Sequence, residues 1–209
     1  MRKPQSTQRV CATMVFPRLG PPSHLKPSTN EMLTMTKELL ETIIGQMATN
    51  PRGVHGLSHW ARVYDNGLRL AAETGADRRV VELFALFHDS RRLTDQADPD
   101  HGPRGAVLAE RYHRDGLLLL DDEPLRLLLT ACRLHTAART HDDATVRTCF
   151  DADRLDLARV GKTVDPAFLC TDAAKNPACI AWASERSRAG VVPDNIIGQA
   201  LRALAATAR

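Results

Sequence analysis

Histidine and aspartate side chains fall on the apolar faces of several predicted helices. In the run His55-Gly-Leu-Ser-His59, the second histidine shares a helical face with Val63, so it should point inward. The next apolar run ends in the adjacent pair His88-Asp89, which is costly to bury without partners. Because neighbouring helical positions differ by about 100°, this imidazole and this carboxylate can converge on one point near a helix end. A divalent cation is the natural occupant of such a point.

Three further candidates follow along the chain. His135 lies on the apolar face of a leucine-rich helix. In the segment 146–157 the apolar stripe contains Asp153, whereas Asp151 falls about 200° away, so periodicity selects Asp153 as the inward acid. His101 lies in a loop rich in Asp, Pro and Gly (94–103), and such loops commonly line functional sites.

A single histidine or aspartate of this kind is most often a hydrogen-bonded core residue. Here, however, separate segments each supply one, and imidazole with carboxylate suits Zn, Fe, Mn or Mg-type ions. The sequence therefore predicts a divalent metal site with six ligands: His59, His88, Asp89, His101, His135 and Asp153.

Length and composition fit one globular domain. The 209 residues are 43% apolar, which excludes a disordered chain, and no window approaches the roughly 20 apolar residues of a membrane span. Five cysteines without C-x-x-C pairing argue against a disulfide scaffold and a zinc ribbon. Reduced thiols favour a cytoplasmic protein.

The net charge of +3 arises at the N-terminus. Residues 1–30 contain five bases, five prolines and no acid, which leaves 23 bases against 25 acids in the rest of the chain. We expect this leader to be disordered. It resembles a transit peptide, and it equally resembles upstream sequence translated before a later start at Met32 or Met35.

From residue 31 onward, apolar periodicity predicts helix after helix with no confident strand. The predicted helices are 31–48, 55–74, 77–89, 104–114, 122–136, 142–160, 178–189 and 194–208, with a less regular stretch at 161–178. This pattern indicates an all-α, single-domain helical bundle over 31–209 with its core at 52–160. The last helix can pack on this core or on a second subunit, so a homodimer stays open.

The order of these motifs resembles that of the HD-domain superfamily of metal-dependent phosphohydrolases. The resemblance covers about residues 52–160 and rests on three motifs: His55-Gly-Leu-Ser-His59-x-x-Arg62-Val63, Leu86-Phe87-His88-Asp89 and Asp151-Ala-Asp153-Arg154-Leu155. It implies an all-helical core in which His59, His88, Asp89 and Asp153 bind one cation. Members with an H…HD…H…H…D pattern look binuclear, and His101 and His135 occupy the two additional positions. The sequence differs from many relatives at Ser90-Arg91-Arg92, where small apolar residues or an acid stand elsewhere.

The resulting functional expectation is hydrolysis of a small, nucleotide-like phosphate mono- or diester by a metal-activated water, with one or two ions of Mn, Mg, Zn, Co or Fe. Asp89 is expected to hold or deprotonate that water. Arg62, Arg92 and Arg104 are the leading candidates to contact phosphoryl oxygens, although each could equally be a surface arginine or an ion-pair partner.

Two alternatives remain open: an HD-type di-iron oxygenase of a small organic substrate, and a regulatory module that binds a nucleotide without catalysis. A phosphorylated small molecule is the expected partner in the leading interpretation. The near-neutral body shows no basic footprint for a nucleic-acid polymer, and no membrane partner is expected.

Overall fold

The computed structural model describes the backbone of residues 29–207 and the side chains of residues 36–207. The prediction of a disordered leader concerns residues that lie outside the described part of the chain, apart from the last two, which begin the first helix. Over the described residues there are nine α-helices and no strand, which confirms the all-α prediction. None of these helices is long and apolar enough to cross a membrane.

The helices follow one another with short connections. They are α1 (Thr29–Ile44), α2 (Leu57–Thr74), α3 (Arg78–Phe87), α4 (His101–Arg114), α5 (Asp122–Leu134), α6 (Ala144–Arg154), α7 (Asp172–Lys175), α8 (Pro177–Arg188) and α9 (Ile196–Ala206). Two 3₁₀ turns, Leu157–Val160 and Pro166–Phe168, lie between α6 and α7.

Side-chain caps fix where several helices begin. The carboxylate of Asp77 accepts hydrogen bonds from two backbone N–H groups at the start of α3, and Asp143 does the same for α6. Gly75 ends α2 with φ of +69°, a left-handed conformation that glycine adopts without strain. The ends of these helices are therefore set by local sequence, independently of the ligand residues.

Helix α2 lies at the centre and packs against α3, α6 and α9, while α5 packs against α3 and α4. The apolar run of α3 from Val80 to Phe87 is buried apart from the partly exposed Glu82, as its composition predicts. A smaller cluster around Leu155, Leu169 and Ala183 covers the far side of α2. The terminal helix α9 packs on α1 and α2, and Asn195 donates to the carbonyl of Ala61, so this helix belongs to the core of its own chain.

Three helix boundaries differ from the predicted ones by three residues or more, and the first of them is the end of α1, at Ile44 instead of 48. Helix α4 begins at His101 instead of 104, because Pro103 falls in its first turn, where a missing N–H removes no helical bond. The predicted helix 142–160 breaks after Arg154, where the N–H of Asp156 bonds to the carbonyl of Asp153 three residues back and tightens the chain into a 3₁₀ turn.

Two glycines let α4 approach the ends of α3 and α5. A Cβ on Gly105 would lie 2.3 Å from the carbonyl oxygen of Phe87, and one on Gly102 would lie 2.3 Å from that of Cys132. Both carbonyls are backbone atoms, which cannot rotate away. The close approach therefore brings the start of α4 against the two helix ends that are followed by His88 and His135.

We predict that Gly105→Ala destabilises the fold by about 1–3 kcal/mol, the usual range for overpacking. Helix propensity alone would make the alanine variant more stable than the wild type. A loss of stability would therefore come from the steric contact. Urea or thermal unfolding followed by circular dichroism measures it. Gly45→Ala is the matched control, because its Cβ would meet nothing closer than 3.6 Å. Equal stability of the two variants would contradict the close packing of α4.

Candidate metal centre

The six predicted ligands lie together in one cluster, here called the ligand cluster. His59 comes from the middle of α2, His88 and Asp89 directly follow α3, His101 is the first residue of α4, His135 directly follows α5, and Asp153 lies in the last turn of α6. Five of the six are buried, and Asp153 keeps a side-chain exposure of 17%. Four helix ends and one central helix thus converge on a single point.

One group of ligand atoms surrounds His59. Its Nε2 lies 3.1 Å from Nε2 of His88 and 3.5 Å from Oδ2 of Asp89. Oδ1 of Asp153 is 3.3 Å from the same nitrogen. Ligands bound to one ion at about 2.1 Å lie about 3.0–3.4 Å apart for octahedral to tetrahedral angles. The spacing of this group therefore suits a single cation.

A second group shares Asp89 with the first. Nε2 of His101 lies 3.0 Å from Nε2 of His135 and 3.0 Å from Oδ1 of Asp89. The ligand atoms of His59, His88 and Asp89 lie within 4.8 Å of one another, and so do those of Asp89, His101 and His135. Each oxygen of Asp89 thus faces a different pair of histidines.

Asp151 and Asp153 face opposite ways, as periodicity suggests. Asp151 is fully buried, and its carboxylate accepts hydrogen bonds from the backbone N–H groups of Cys170 and Thr171 and from the Thr171 hydroxyl. Burial raises the pKa of Asp151 even though these hydrogen bonds favour its charged form. It therefore anchors the segment before α7, while Asp153 faces the ligand cluster.

Each histidine of the ligand cluster has its Nδ1 beside an atom that can only accept a hydrogen bond. The partners are the Asp156 carboxylate for His59 (2.7 Å) and backbone carbonyls for the others: Phe84 for His88 (3.1 Å), Cys132 for His135 (2.8 Å) and Asp98 for His101. In the neutral form of each ring the proton therefore resides on Nδ1, and Nε2 then presents a lone pair to the centre. Metal-binding histidines are held in this way in known sites.

The Nε2 atoms meet in two pairs, His59 with His88 and His101 with His135. Two lone pairs facing each other at about 3 Å repel unless a proton or a cation lies between them. These two Nε2–Nε2 contacts are the strongest indication that the cluster binds a positive charge.

The surroundings shift the pKa of several cluster residues. Burial lowers the pKa of His88 to about 3, so this ring is neutral at physiological pH. Burial and the charge of Arg159 act to lower the pKa of His59, but hydrogen bonds to three carboxylates raise it to about 9. Burial alone would raise the pKa of Asp89, yet the surrounding imidazoles hold it well below its ordinary value. Asp89 is therefore ionised at neutral pH.

Asp156 orients His59 and is itself held by two arginines. Its Oδ1 accepts a hydrogen bond from Nε of Arg62 at 2.6 Å, and its Oδ2 lies 3.7 Å from the Arg159 guanidinium. Burial would raise the pKa of Asp156, but His59 and Arg62 lower it overall. Sequence analysis missed this carboxylate and Arg159. The sequence did hold one signal for Asp156: it follows Asp153 by three residues, just as Arg62 follows His59 by three.

The arginines predicted to contact phosphate lie in different places. Arg62 is buried, with its guanidinium on Asp156 and on the carbonyl of Val191. Arg104 donates to both carboxylate oxygens of Asp98 at 2.6 Å. Arg92 alone borders the ligand cluster, with NH1 3.4 Å from Oδ1 of Asp89. That atom is also within hydrogen-bond distance of both ring nitrogens of His101, at 3.2 and 3.4 Å.

His55 lies at the edge of the cluster. Its ring is 6.4 Å from that of His59 between centroids, its side chain is 14% exposed, and Nδ1 contacts Oδ1 of Asp95 at 3.1 Å. His55 and the partly exposed Asp153 mark the side of the cluster that solvent reaches.

Neither a protein-family model, nor a curated protein, nor a solved structure matches this chain. The functional interpretation therefore rests on the geometry of the ligand cluster.

We predict that Asp156→Asn lowers the affinity for a divalent metal about 10- to 100-fold, the effect typical of losing the partner of a ligating histidine. The amide no longer fixes the His59 tautomer or balances Arg62. Competition with a chromophoric chelator measures the affinity.

Asp65→Asn is the control for this variant, because Asp65 also pairs with an arginine, Arg186, but contacts no residue of the ligand cluster. Its metal affinity should stay at the wild-type value. If both variants lose affinity equally, Asp156 has no particular role in orienting His59.

Proposed function

We propose that the protein is a metal-dependent phosphohydrolase of a small phosphate mono- or diester. The observation that carries the proposal is the pair of buried ligand groups that share Asp89, in each of which two imidazole Nε2 atoms face each other. Mn, Mg, Zn, Co and Fe are the candidate metals, since imidazole and carboxylate ligands accept all of them to different degrees.

His59, His88, Asp89 and Asp153 would hold one ion, and Asp89, His101 and His135 would hold a second. Divalent ions in such a site supply a water of lowered pKa and offset the negative charge of a phosphoryl group. The chain itself supplies a fixed, water-poor setting in which charges interact strongly.

Asp89 would help to hold both ions and would accept a hydrogen bond that orients the attacking water. Its depressed pKa makes it a weak base at neutral pH, and general bases work best when their pKa lies near the working pH. The sequence predicts that Asp89 holds or deprotonates the water; in this proposal Asp89 only holds it.

Arg92 is the positive side chain best placed to meet a phosphoryl oxygen. Its guanidinium borders Asp89 and His101, and carbonyls of Thr94 and Gln96 hold its other nitrogens in place. Arg62 instead serves as a positioning residue through Asp156. The substrate is therefore a small anion that reaches the cluster beside Asp153 and His55.

One observation favours a second candidate, a di-iron oxygenase of a small organic substrate. All three predicted phosphate-binding arginines already pair with a carboxylate: Arg62 with Asp156, Arg104 with Asp98 and Arg92 with Asp89. The centre therefore has less free positive charge than a phosphate site usually uses. The shared carboxylate and the four histidines also suit paired iron.

We predict that protein purified without added metal retains a divalent ion, and that it hydrolyses p-nitrophenyl phosphate or its bis ester under anaerobic conditions. Asp89→Ala should lose the bound metal and lower hydrolysis more than about 100-fold, since removing a ligand exceeds the effect of removing its partner. Elemental analysis and a panel of Mn, Mg, Zn, Co and Fe supply the measurements.

Asp151→Asn is the matched control, because Asp151 is a buried carboxylate close to Asp153 in sequence but bonded to the segment before α7. It should keep its metal. Substrate turnover only by the iron-loaded, reduced protein with consumption of O₂ would replace the hydrolase with the oxygenase. Full metal content in Asp89→Ala would show that the centre lies elsewhere, and a metal-free wild type would favour the regulatory module.

A further inference from the structure

A cleft of about 340 Å³ lies outside the ligand cluster, between the segment after α1, the turn after α3 and the outer flank of α4. It is lined by three arginines, Arg91, Arg104 and Arg111, together with Gln46, Val107 and Leu108. We call it the arginine cleft. None of the six ligand residues lines it.

Two of these arginines keep an unbalanced positive charge. Arg91 donates to the backbone carbonyl of Gln46 at 2.8 Å, and Arg111 donates to the side-chain oxygen of the same residue at 3.2 Å. Both acceptors are neutral. Among the described side chains, no carboxylate forms an ion pair with Arg91 or Arg111, and only Arg104 has an acidic partner, Asp98. Clustered guanidinium groups without acids repel one another and favour a bound anion.

The wall beside these arginines is apolar. Val107 is 59% exposed on α4, next to the mostly buried Leu108. A valine so exposed between charged residues offers contact area to the organic part of a ligand. The cleft therefore combines a multiply positive end with an apolar wall, a composition that matches a phosphorylated organic molecule better than an inorganic ion.

We propose that the arginine cleft is a second binding site, separate from the ligand cluster, which takes the phosphate groups of a nucleoside di- or triphosphate. Arg91 and Arg111 bind the phosphates, Arg104 lies beside them on Asp98, and the exposed side chain of Val107 contacts the base or sugar. This site does not depend on the proposed hydrolase activity, because it needs no metal.

Isothermal titration calorimetry of the full chain in EDTA tests the proposal, since the chelator removes binding through a metal. ADP should bind, pyrophosphate should bind more weakly, and adenosine should not bind measurably. Arg91→Ala and Arg111→Ala should each lower the affinity for ADP about tenfold or more, the effect of losing one charge-assisted hydrogen bond.

Val107→Glu should abolish binding while the fold remains intact, because the side chain is exposed and glutamate favours a helix. Arg78→Ala is the matched control: it makes the same change in net charge on an exposed arginine of α3 that does not line the cleft. Its affinity for ADP should equal that of the wild type.

Three results would overturn the proposal. Equal weakening by Arg78→Ala and Val107→Glu would indicate general charge attraction without a site. Loss of binding in His88→Ala but not in Val107→Glu would place the nucleotide at the ligand cluster. Failure of ADP to bind, or binding of pyrophosphate as tight as that of ADP, would contradict a nucleotide site in the cleft.

Discussion

Two pairs of imidazole rings face each other through Nε2 atoms at 3.1 and 3.0 Å, on either side of one carboxylate. With each Nδ1 proton engaged by an acceptor, these contacts are stable only if positive charge lies between the nitrogens. The surrounding structure holds the four rings in this arrangement. Three backbone carbonyls near helix ends and the Asp156 carboxylate fix the tautomers, and two glycines allow α4 to approach closely enough for His101 to reach Asp89.

Local sequence signals account for most of the fold. Apolar periodicity together with caps such as Asp77 and Gly75 locates helices to within a few residues, because these signals act over one or two turns. The exceptions depend on finer detail. Helix α4 starts at His101, inside the loop predicted over 94–103, because the first turn of a helix tolerates a proline such as Pro103. The break after Arg154 follows from a single shortened backbone hydrogen-bond step, which apolar periodicity does not predict.

For the candidate site, periodicity places His59, His135 and Asp153 on inward faces, because a short side chain must follow the direction of its Cβ. The His88-Asp89 pair is marked by its position at the end of an apolar run, and His101 by its position in a loop. Arginine has no such restriction, since its long side chain can turn toward any acid within several ångströms. Arg62 pairs with Asp156, which is distant in sequence, and Arg104 pairs with Asp98, which lies in an irregular loop. The ligands were therefore readable from the sequence, whereas the partners of the arginines required the three-dimensional arrangement.

The segment between α3 and α4 joins the two charged regions of the molecule. This segment supplies Asp89 to the ligand cluster and Arg91 to the arginine cleft. Its Arg92 borders the cluster, and the segment leads into His101. Arg104 donates to the carbonyl of Arg91 and to the carboxylate of Asp98, whose own carbonyl accepts the Nδ1 proton of His101. The arginine cleft and the ligand cluster are thus connected by hydrogen bonds within residues 89–104.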